Sequence, residues 1–79
     1  MEREQIVEKI KNVISSVLKH DNFIITDDLR AEEVDGWDSL SHMVIITEIE
    51  DSFGVRFKLK ELNKLQNMGN LISLIQSKI

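Results

Sequence analysis

The chain has 79 residues, of which 42% are hydrophobic and 30% charged, and it carries a net charge of −4 with no Cys and no Pro. A chain this short forms at most one domain around a small core, and its hydrophobic share argues against disorder. The lack of Cys excludes disulfides and Cys-based zinc sites, and an acidic chain without a basic stripe is unlike a nucleic-acid binder.

The charge is unevenly distributed along the chain. Residues 21–38 contain seven acidic side chains and one Arg, whereas residues 58–79 contain four Lys and one Glu. The acidic middle would attract a basic partner surface, although a solvated loop that serves solubility is the alternative. No apolar run could span a membrane and no signal peptide is visible, so we expect a cytoplasmic protein, acting as a monomer.

The first half of the chain predicts one helix and one long loop. Apolar residues recur at helical spacing over residues 3–19, which predicts an amphipathic helix. Residues 21–37 show no sustained period and contain only scattered apolar anchors. We therefore expect a long connection that is pinned across the core, with room for one short helical turn.

The second half of the chain predicts three more helices. Asp38 is a good N-cap for a helix over residues 38–53, and Gly54 follows at its C-terminal end. A short helix is predicted over residues 59–65, and Asn67 can cap a final helix over 68–78. The predicted fold is all-α: a small four-helix bundle with three main helices, one short helix and a long first loop. The residues expected to lead its core are Ile10, Ile14, Ile45, Ile46, Ile49, Phe53, Ile72 and Ile75.

The second helix has apolar residues on two sides. One side belongs to the predicted core, while the other lies beside Ser39 and ends in Glu50 and Asp51. This second group consists of Leu40, Met43, Val44 and the methyl-bearing Thr47. An exposed apolar patch rimmed by acids indicates a partner site, and the alternative is that the long loop covers Leu40 and Met43.

Ser39 falls in the first turn of the second helix. Unpaired backbone N–H groups and the helix dipole make such a position electropositive. A phosphate attached to Ser39 would therefore be stabilised, although a Ser at this place is usually just a neighbour of the cap.

A longer motif surrounds Ser39. The string Gly36-Trp37-Asp38-Ser39-Leu40, followed by Ile-Ile-Thr-Glu-Ile-Glu-Asp-Ser-Phe-Gly-Val over residues 45–55, strongly resembles the acyl carrier protein family. The resemblance covers essentially the whole chain. It implies a stand-alone carrier domain over residues 1–79 and not an enzyme. It also implies that Ser39, flanked by Asp38 and Leu40, is esterified by 4′-phosphopantetheine from coenzyme A, whose thiol carries acyl groups as thioesters.

The same resemblance implies partners and surfaces. The partners are a phosphopantetheinyl transferase, an acyl- or aminoacyl-loading ligase, and downstream synthase or transferase enzymes. The docking positions that match are Leu40, Met43, Thr47, Glu50 and Asp51. The expected cargo pocket is lined by Ile46, Leu62 and Leu65, and we expect it to shelter medium-length chains at best.

Three features depart from carriers of fatty-acid synthesis. Val44 stands where those carriers commonly have Glu, the segment Lys58-Leu59-Lys60-Glu61 is more basic, and Trp37 looks more like specialised stand-alone carriers. An aminoacyl or peptidyl carrier of a specialised pathway is therefore the alternative function. A small helical adaptor without a prosthetic group is a remoter one.

Two other chemistries fit the sequence poorly. Asp38, Ser39 and His42 could suggest a hydrolase, but there is no Gly-x-Ser-x-Gly elbow and no evident oxyanion hole. We interpret His42 as packed or bonded to the loop, with contact to a phosphate arm as the alternative. An EF-hand over residues 27–38 would need other residues at positions 29, 31 and 32, so no metal site is expected.

Overall fold

The computed structural model describes all 79 residues as four α-helices and one 3₁₀ turn. Helix α1 spans Arg3–Leu18, the 3₁₀ turn Ala31–Glu33, α2 Ser39–Phe53, α3 Leu59–Leu62 and α4 Met68–Lys78. Helix α1 packs against both α2 and α4. The predicted all-α bundle with a long first loop is confirmed, and none of its helices is both long enough and apolar enough to cross a membrane.

A single apolar cluster joins the three longer helices. It also takes in two side chains of the long loop, Phe23 and Val34, which are the anchors that pin this loop. The remaining members are Ile6, Ile10, Ile14, Ile45, Ile49, Met68, Leu71, Ile72 and Ile75. Burial of this apolar area is the main favourable term in the folding of the chain.

Seven of the eight predicted core residues are buried, and Phe53 is the exception. Phe53 is the last residue of α2, so its ring packs against the rim of the cluster and remains half-buried. The Lys9 ammonium lies 5.0 Å from the centre of this ring. Lys9 also donates to the Ser52 carbonyl oxygen at 2.9 Å, so it closes the C-terminal end of α2 against α1.

Two helices end earlier than predicted. Helix α1 stops at Leu18 because Lys19 adopts a left-handed conformation, with φ of 62°, and donates its N–H to the Ser15 carbonyl. Helix α3 stops at Leu62 instead of Leu65, since the N–H groups of Lys64 and Leu65 bond three residues back, at 3.2 and 3.1 Å, and no longer four. This tighter path brings Leu65 against the apolar cluster.

The two ends of the long loop are clasped by His20. Its Nδ1 atom accepts from the Asn22 backbone N–H at 3.1 Å, so the proton on this ring lies on Nε2. Nε2–H donates to the Asp35 carbonyl oxygen at 2.7 Å. The clasp therefore links the second residue after α1 to the turn that precedes α2.

The middle of the loop is fastened to the start of α4. The backbone N–H groups of Met68 and Gly69 donate to the carbonyl oxygens of Leu29 and Asp27 at 2.8 and 3.0 Å. A β-carbon at position 69 would lie 3.2 Å from both the carbonyl oxygen and the β-carbon of Asp27. Gly69 has a low helix propensity for the first turn of α4, but its lack of a side chain is what lets the loop approach.

Candidate functional site

The site begins at the cap of α2. One carboxylate oxygen of Asp38 accepts from the backbone N–H groups of Leu40 and Ser41 at 3.0 and 2.8 Å. Ser39 is the first residue of the helix, and its exposed hydroxyl takes no part in these bonds. The cap therefore fixes the backbone at Ser39 and leaves its Oγ open to a reagent.

Ser41 completes the cap from the other side. Its hydroxyl accepts from the Asp38 backbone N–H at 2.8 Å and donates to the Gly36 carbonyl oxygen at 2.8 Å. The backbone N–H of Ser41, followed by its hydroxyl, holds the pKa of the Asp38 carboxyl below its ordinary value of 3.8. The cap role of Ser41 was not predicted, although its place three residues after an N-cap is the spacing of a reciprocal capping pair.

Trp37 and His42 form a pair beside this cap. The indole N–H of Trp37 donates to Nδ1 of His42 at 3.1 Å, and the two rings are stacked with centroids 6.1 Å apart. The interpretation of His42 as bonded to the loop is confirmed. Because the Asp38 carboxylate is bonded to the start of α2 and Trp37 occupies Nδ1, the hydrolase arrangement does not form.

The outward face of α2 is uncovered. Leu40, Met43 and Val44 are 79%, 56% and 47% exposed, so the long loop does not shield them. Thr47 is exposed as well, with its hydroxyl turned back to donate to the Met43 carbonyl at 2.9 Å. The face is therefore apolar along its length.

The two acids at the end of this face differ. The side chain of Asp51 is exposed, whereas Glu50 is half-buried and accepts from the Phe57 backbone N–H at 2.8 Å. Glu50 thus fastens the segment after α2 to the helix, and Asp51 is the acid that presents its charge to the surroundings. The sequence predicted the same docking role for both acids. The bond that distinguishes Glu50 joins it to Phe57, seven residues away, and such a bond leaves no periodic pattern in the sequence.

A cavity of about 130 Å³ lies behind the cap, between α2 and the segment that leads into α4. Its lining includes Ile46 and Leu65, two of the three residues that were expected to line a cargo pocket, and does not include the third, Leu62. The other residues that line the cavity are Leu29, Ala31, Glu32, Trp37, His42, Gln66, Asn67, Met68 and Leu71. A more open cleft of about 270 Å³ lies next to Ser39 itself.

These features describe a protein that presents a group on its surface. Its one well-placed nucleophile is exposed at a helix start, and no metal-binding cluster of His, Asp or Glu is present. The class is therefore a small helical carrier domain. Residues 8–75 match the family described as phosphopantetheine attachment site, and the chain belongs to this family, that of the acyl carrier proteins.

Relatives of known name support this membership. The chain is 31% identical over 77 residues to the acyl carrier protein of Thermotoga maritima, which covers 98% of this chain and 95% of that protein. The acyl carrier protein of Lactobacillus johnsonii is also 31% identical, over 98% of this chain and 96% of its own length. The solution structure of holo acyl carrier protein from Geobacter metallireducens superposes with a TM-score of 0.84 at 34% identity, covering 92% of this chain and 84% of that one.

Membership confirms the functional class predicted from the sequence. The protein is an acyl carrier and not an enzyme, and its prosthetic group is a covalently attached 4′-phosphopantetheine. The family works with a phosphopantetheinyl transferase and with synthase or transferase enzymes. Since the chain has no Cys, the thiol that carries acyl groups belongs to the prosthetic arm.

Proposed function

We propose that the chain acts as one carrier domain over residues 1–79 and that Ser39 holds the phosphopantetheine arm. The observation that carries this assignment is the exposed Ser39 hydroxyl at the first position of α2, inside the matched family range. Asp38 fixes the helix start without using that hydroxyl, and the exposed Leu40 follows it on the outer face. The site thus fits a group that is attached by its phosphate.

The attachment chemistry follows from the residue type. Ser39 Oγ forms a phosphodiester bond to the phosphorus that bears the pantetheine portion of coenzyme A. The pyrophosphate P–O bond breaks, the adenosine bisphosphate leaves, and the hydroxyl proton is released to the transferase. The electropositive start of α2 then stabilises the phosphodiester charge next to it.

The uncovered face of α2 is the proposed docking surface. Its apolar part consists of Leu40, Met43 and Thr47, and its free charge is that of Asp51. Glu50 was also predicted to contact partners. We give it a smaller part in this surface, because its carboxylate already accepts from the Phe57 N–H within the chain. The proposed users of this surface are the phosphopantetheinyl transferase, a loading ligase and the synthase or transferase that receives the acyl group.

The cavity behind the cap is the proposed shelter for the carried group. Ile46 and Leu65 line it, and the arm on Ser39 starts from the neighbouring cleft. The sequence also assigned Leu62 to this pocket, but Leu62, the last residue of α3, is not among the residues that line the cavity, so we leave it out of the proposal.

The direct test is a mass measurement. Incubation of the unmodified protein with coenzyme A and a promiscuous phosphopantetheinyl transferase should add one arm. Ser39→Ala should abolish the addition, whereas Ser52→Ala, at the exposed far end of the same helix, should leave it intact. An arm that still attaches to the Ser39→Ala variant would overturn the assignment of Ser39.

A further inference from the structure

The cavity and the cleft are joined through shared walls. Both are lined by the same four residues, Ala31, Glu32, Trp37 and His42. Ser39 belongs to the cleft only, and Ile46 belongs to the cavity only. A group that is tethered to Ser39 and enters the cavity must therefore pass the Trp37–His42 pair.

The pair is held in one arrangement. Trp37 packs against the apolar cluster, and its N–H donates to Nδ1 of His42 at 3.1 Å. Because an indole N–H can only donate, Nδ1 is the acceptor and the neutral imidazole carries its proton on Nε2. His42 lines both the cleft and the cavity, and Nε2–H is the ring donor that its bond to Trp37 leaves free for a group in the passage.

The size of the cavity limits what can enter. An apolar protein cavity of about 150 Å³ holds a benzene molecule, which has six carbon atoms. The cavity here is about 130 Å³, so it accommodates an acyl group of at most about six non-hydrogen atoms. Because the cavity is partly open, a longer chain would either leave its remaining atoms outside in water or displace close-packed Ile side chains of the core.

The polar groups of the cavity limit the chemistry of the cargo. His42 contributes Nε2–H, Gln66 contributes its side-chain amide, and Asn67 contributes its NH₂ group, since the Asn67 oxygen already accepts from Asn70 at 2.9 Å. A plain hydrocarbon would remove water from these donors without replacing its hydrogen bonds. A cargo that bears an oxygen replaces them. The carboxylate of Glu32, in the same wall, disfavours a cargo that is itself an anion. A cationic ammonium group is disfavoured for another reason: it has no acceptor with which to replace the water bonded to these donors.

We infer that Trp37 and His42 form the mouth of the cargo cavity and select short, uncharged acyl groups whose oxygen substituent accepts a hydrogen bond from His42 Nε2–H. This inference rests on the proposed attachment of the arm to Ser39. It assigns a class of cargo, short hydroxyacyl or oxoacyl groups, and a positioning residue for that class.

The experiment loads four acyl groups onto the wild-type protein with a promiscuous transferase and the matching acyl-coenzyme A. These groups are butyryl, 3-hydroxybutyryl, 3-aminobutyryl and octanoyl. Mass spectrometry first confirms that one arm has been added to Ser39. The readout is the rate at which hydroxylamine cleaves each thioester, divided by the rate for the same acyl group on free pantetheine. The fluorescence of Trp37, the one Trp of the chain, independently reports whether the cargo lies against the mouth.

We expect the 3-hydroxybutyryl thioester to be protected roughly three- to tenfold more than the butyryl thioester, as one added hydrogen bond would give. The octanoyl thioester should be cleaved like its free counterpart. Equal protection of the butyryl and hydroxybutyryl groups, or strongest protection of the octanoyl group, would overturn the inference. Strongest protection of 3-aminobutyryl would also overturn it and would favour an aminoacyl carrier. Failure to add any arm would instead refute the proposed function, and the inference with it.

Two variants of His42 test whether its Nε2–H donor, and not the shape of its ring, determines the preference for the hydroxybutyryl group. His42→Gln retains a donor near the position of Nε2, whereas His42→Asn retains an acceptor for Trp37 and loses that donor. With circular dichroism matching the wild type, the hydroxybutyryl preference should persist in His42→Gln and vanish in His42→Asn. A preference that survives in His42→Asn, or that disappears equally in both variants, would remove Nε2–H from its assigned role.

Discussion

The two faces of α2 have similar hydrophobicity but opposite surroundings. Ile45 and Ile49 on the inner face are fully buried, whereas Leu40 and Met43 on the outer face are mostly exposed. Only the inner face contributes packing to the bundle, so the apolar character of the outer face is not explained by folding. The difference separates the side of this helix that stabilises the bundle from the side that we propose as the docking surface.

The largest expected effect is a difference in stability between substitutions on the two faces. Ile49→Ala removes a fully buried side chain and should lower the free energy of unfolding by about 2–5 kcal/mol. Met43→Ala should change it by less than about 0.5 kcal/mol, because the side chain is largely in water. Urea unfolding followed by circular dichroism measures both. A loss of stability in Met43→Ala as large as that in Ile49→Ala would contradict the division of α2 into two faces.

A second prediction concerns Glu50, which stands at the border between the faces. Glu50→Gln weakens the bond to the Phe57 N–H and should cost about 1 kcal/mol of unfolding free energy. Amide hydrogen exchange at Phe57 should become faster in the variant. If exchange at Phe57 is unchanged, the Glu50 side chain is not holding this segment in solution, and Glu50 returns to the docking surface.

The third prediction concerns Asp51, which has the exposed charge of the outer face. Asp51→Lys should leave stability nearly unchanged and slow arm attachment by a few-fold, since one exposed ion pair is worth about 0–1 kcal/mol. Added salt should slow the wild-type reaction more than the reaction of the variant, because salt screens this attraction. Glu48→Lys, on the opposite side of the helix from Ser39, is the matched control. Equal slowing by both variants would show a general charge effect and not a docking surface.

The smallest effect is a pH dependence at the start of α2. The pKa of Asp38 is lowered in the folded protein, so its charge contributes stability above the ordinary value of 3.8, and this contribution is lost as pH falls through the lowered pKa. Asp38→Asn keeps a capping side chain but removes the charge. The difference in thermal midpoint between wild type and variant should be constant from pH 7 to pH 5 and should shrink below pH 3.8. A difference that grows on acidification would contradict the role of the Asp38 charge.

The sequence predicted those features that depend on neighbours along the chain. The cap at Asp38, the cap at Asn67 and the left-handed Gly54 all belong to short local patterns, and the structure has each of them. The Ile positions of the core followed from helical periodicity for the same reason.

Features that depend on distant residues were not predicted. The bond from Glu50 to Phe57 and the clasp of His20 on Asp35 need the folded path of the loops before they can form. The lining of the cavity was only partly predicted, because the early end of α3 changes which Leu faces it. The sequence therefore predicted the fold class that the structure has, while the shape of the surroundings of Ser39 required the structure.

The close approach of the loop to Gly69 affects the order in which parts of the chain reach their folded positions. The loop that carries Glu32 toward the Ser39 cleft is fastened by N–H groups of Met68 and Gly69, which come much later in the chain. During synthesis, α1, the loop and α2 all leave the ribosome before this fastener exists. The carbonyl oxygens of Asp27 and Leu29 consequently gain these partners only when the start of the last helix is in place, so the wall beside Ser39 is completed late in folding. A complete wall beside Ser39 thus indicates that the whole bundle is in place.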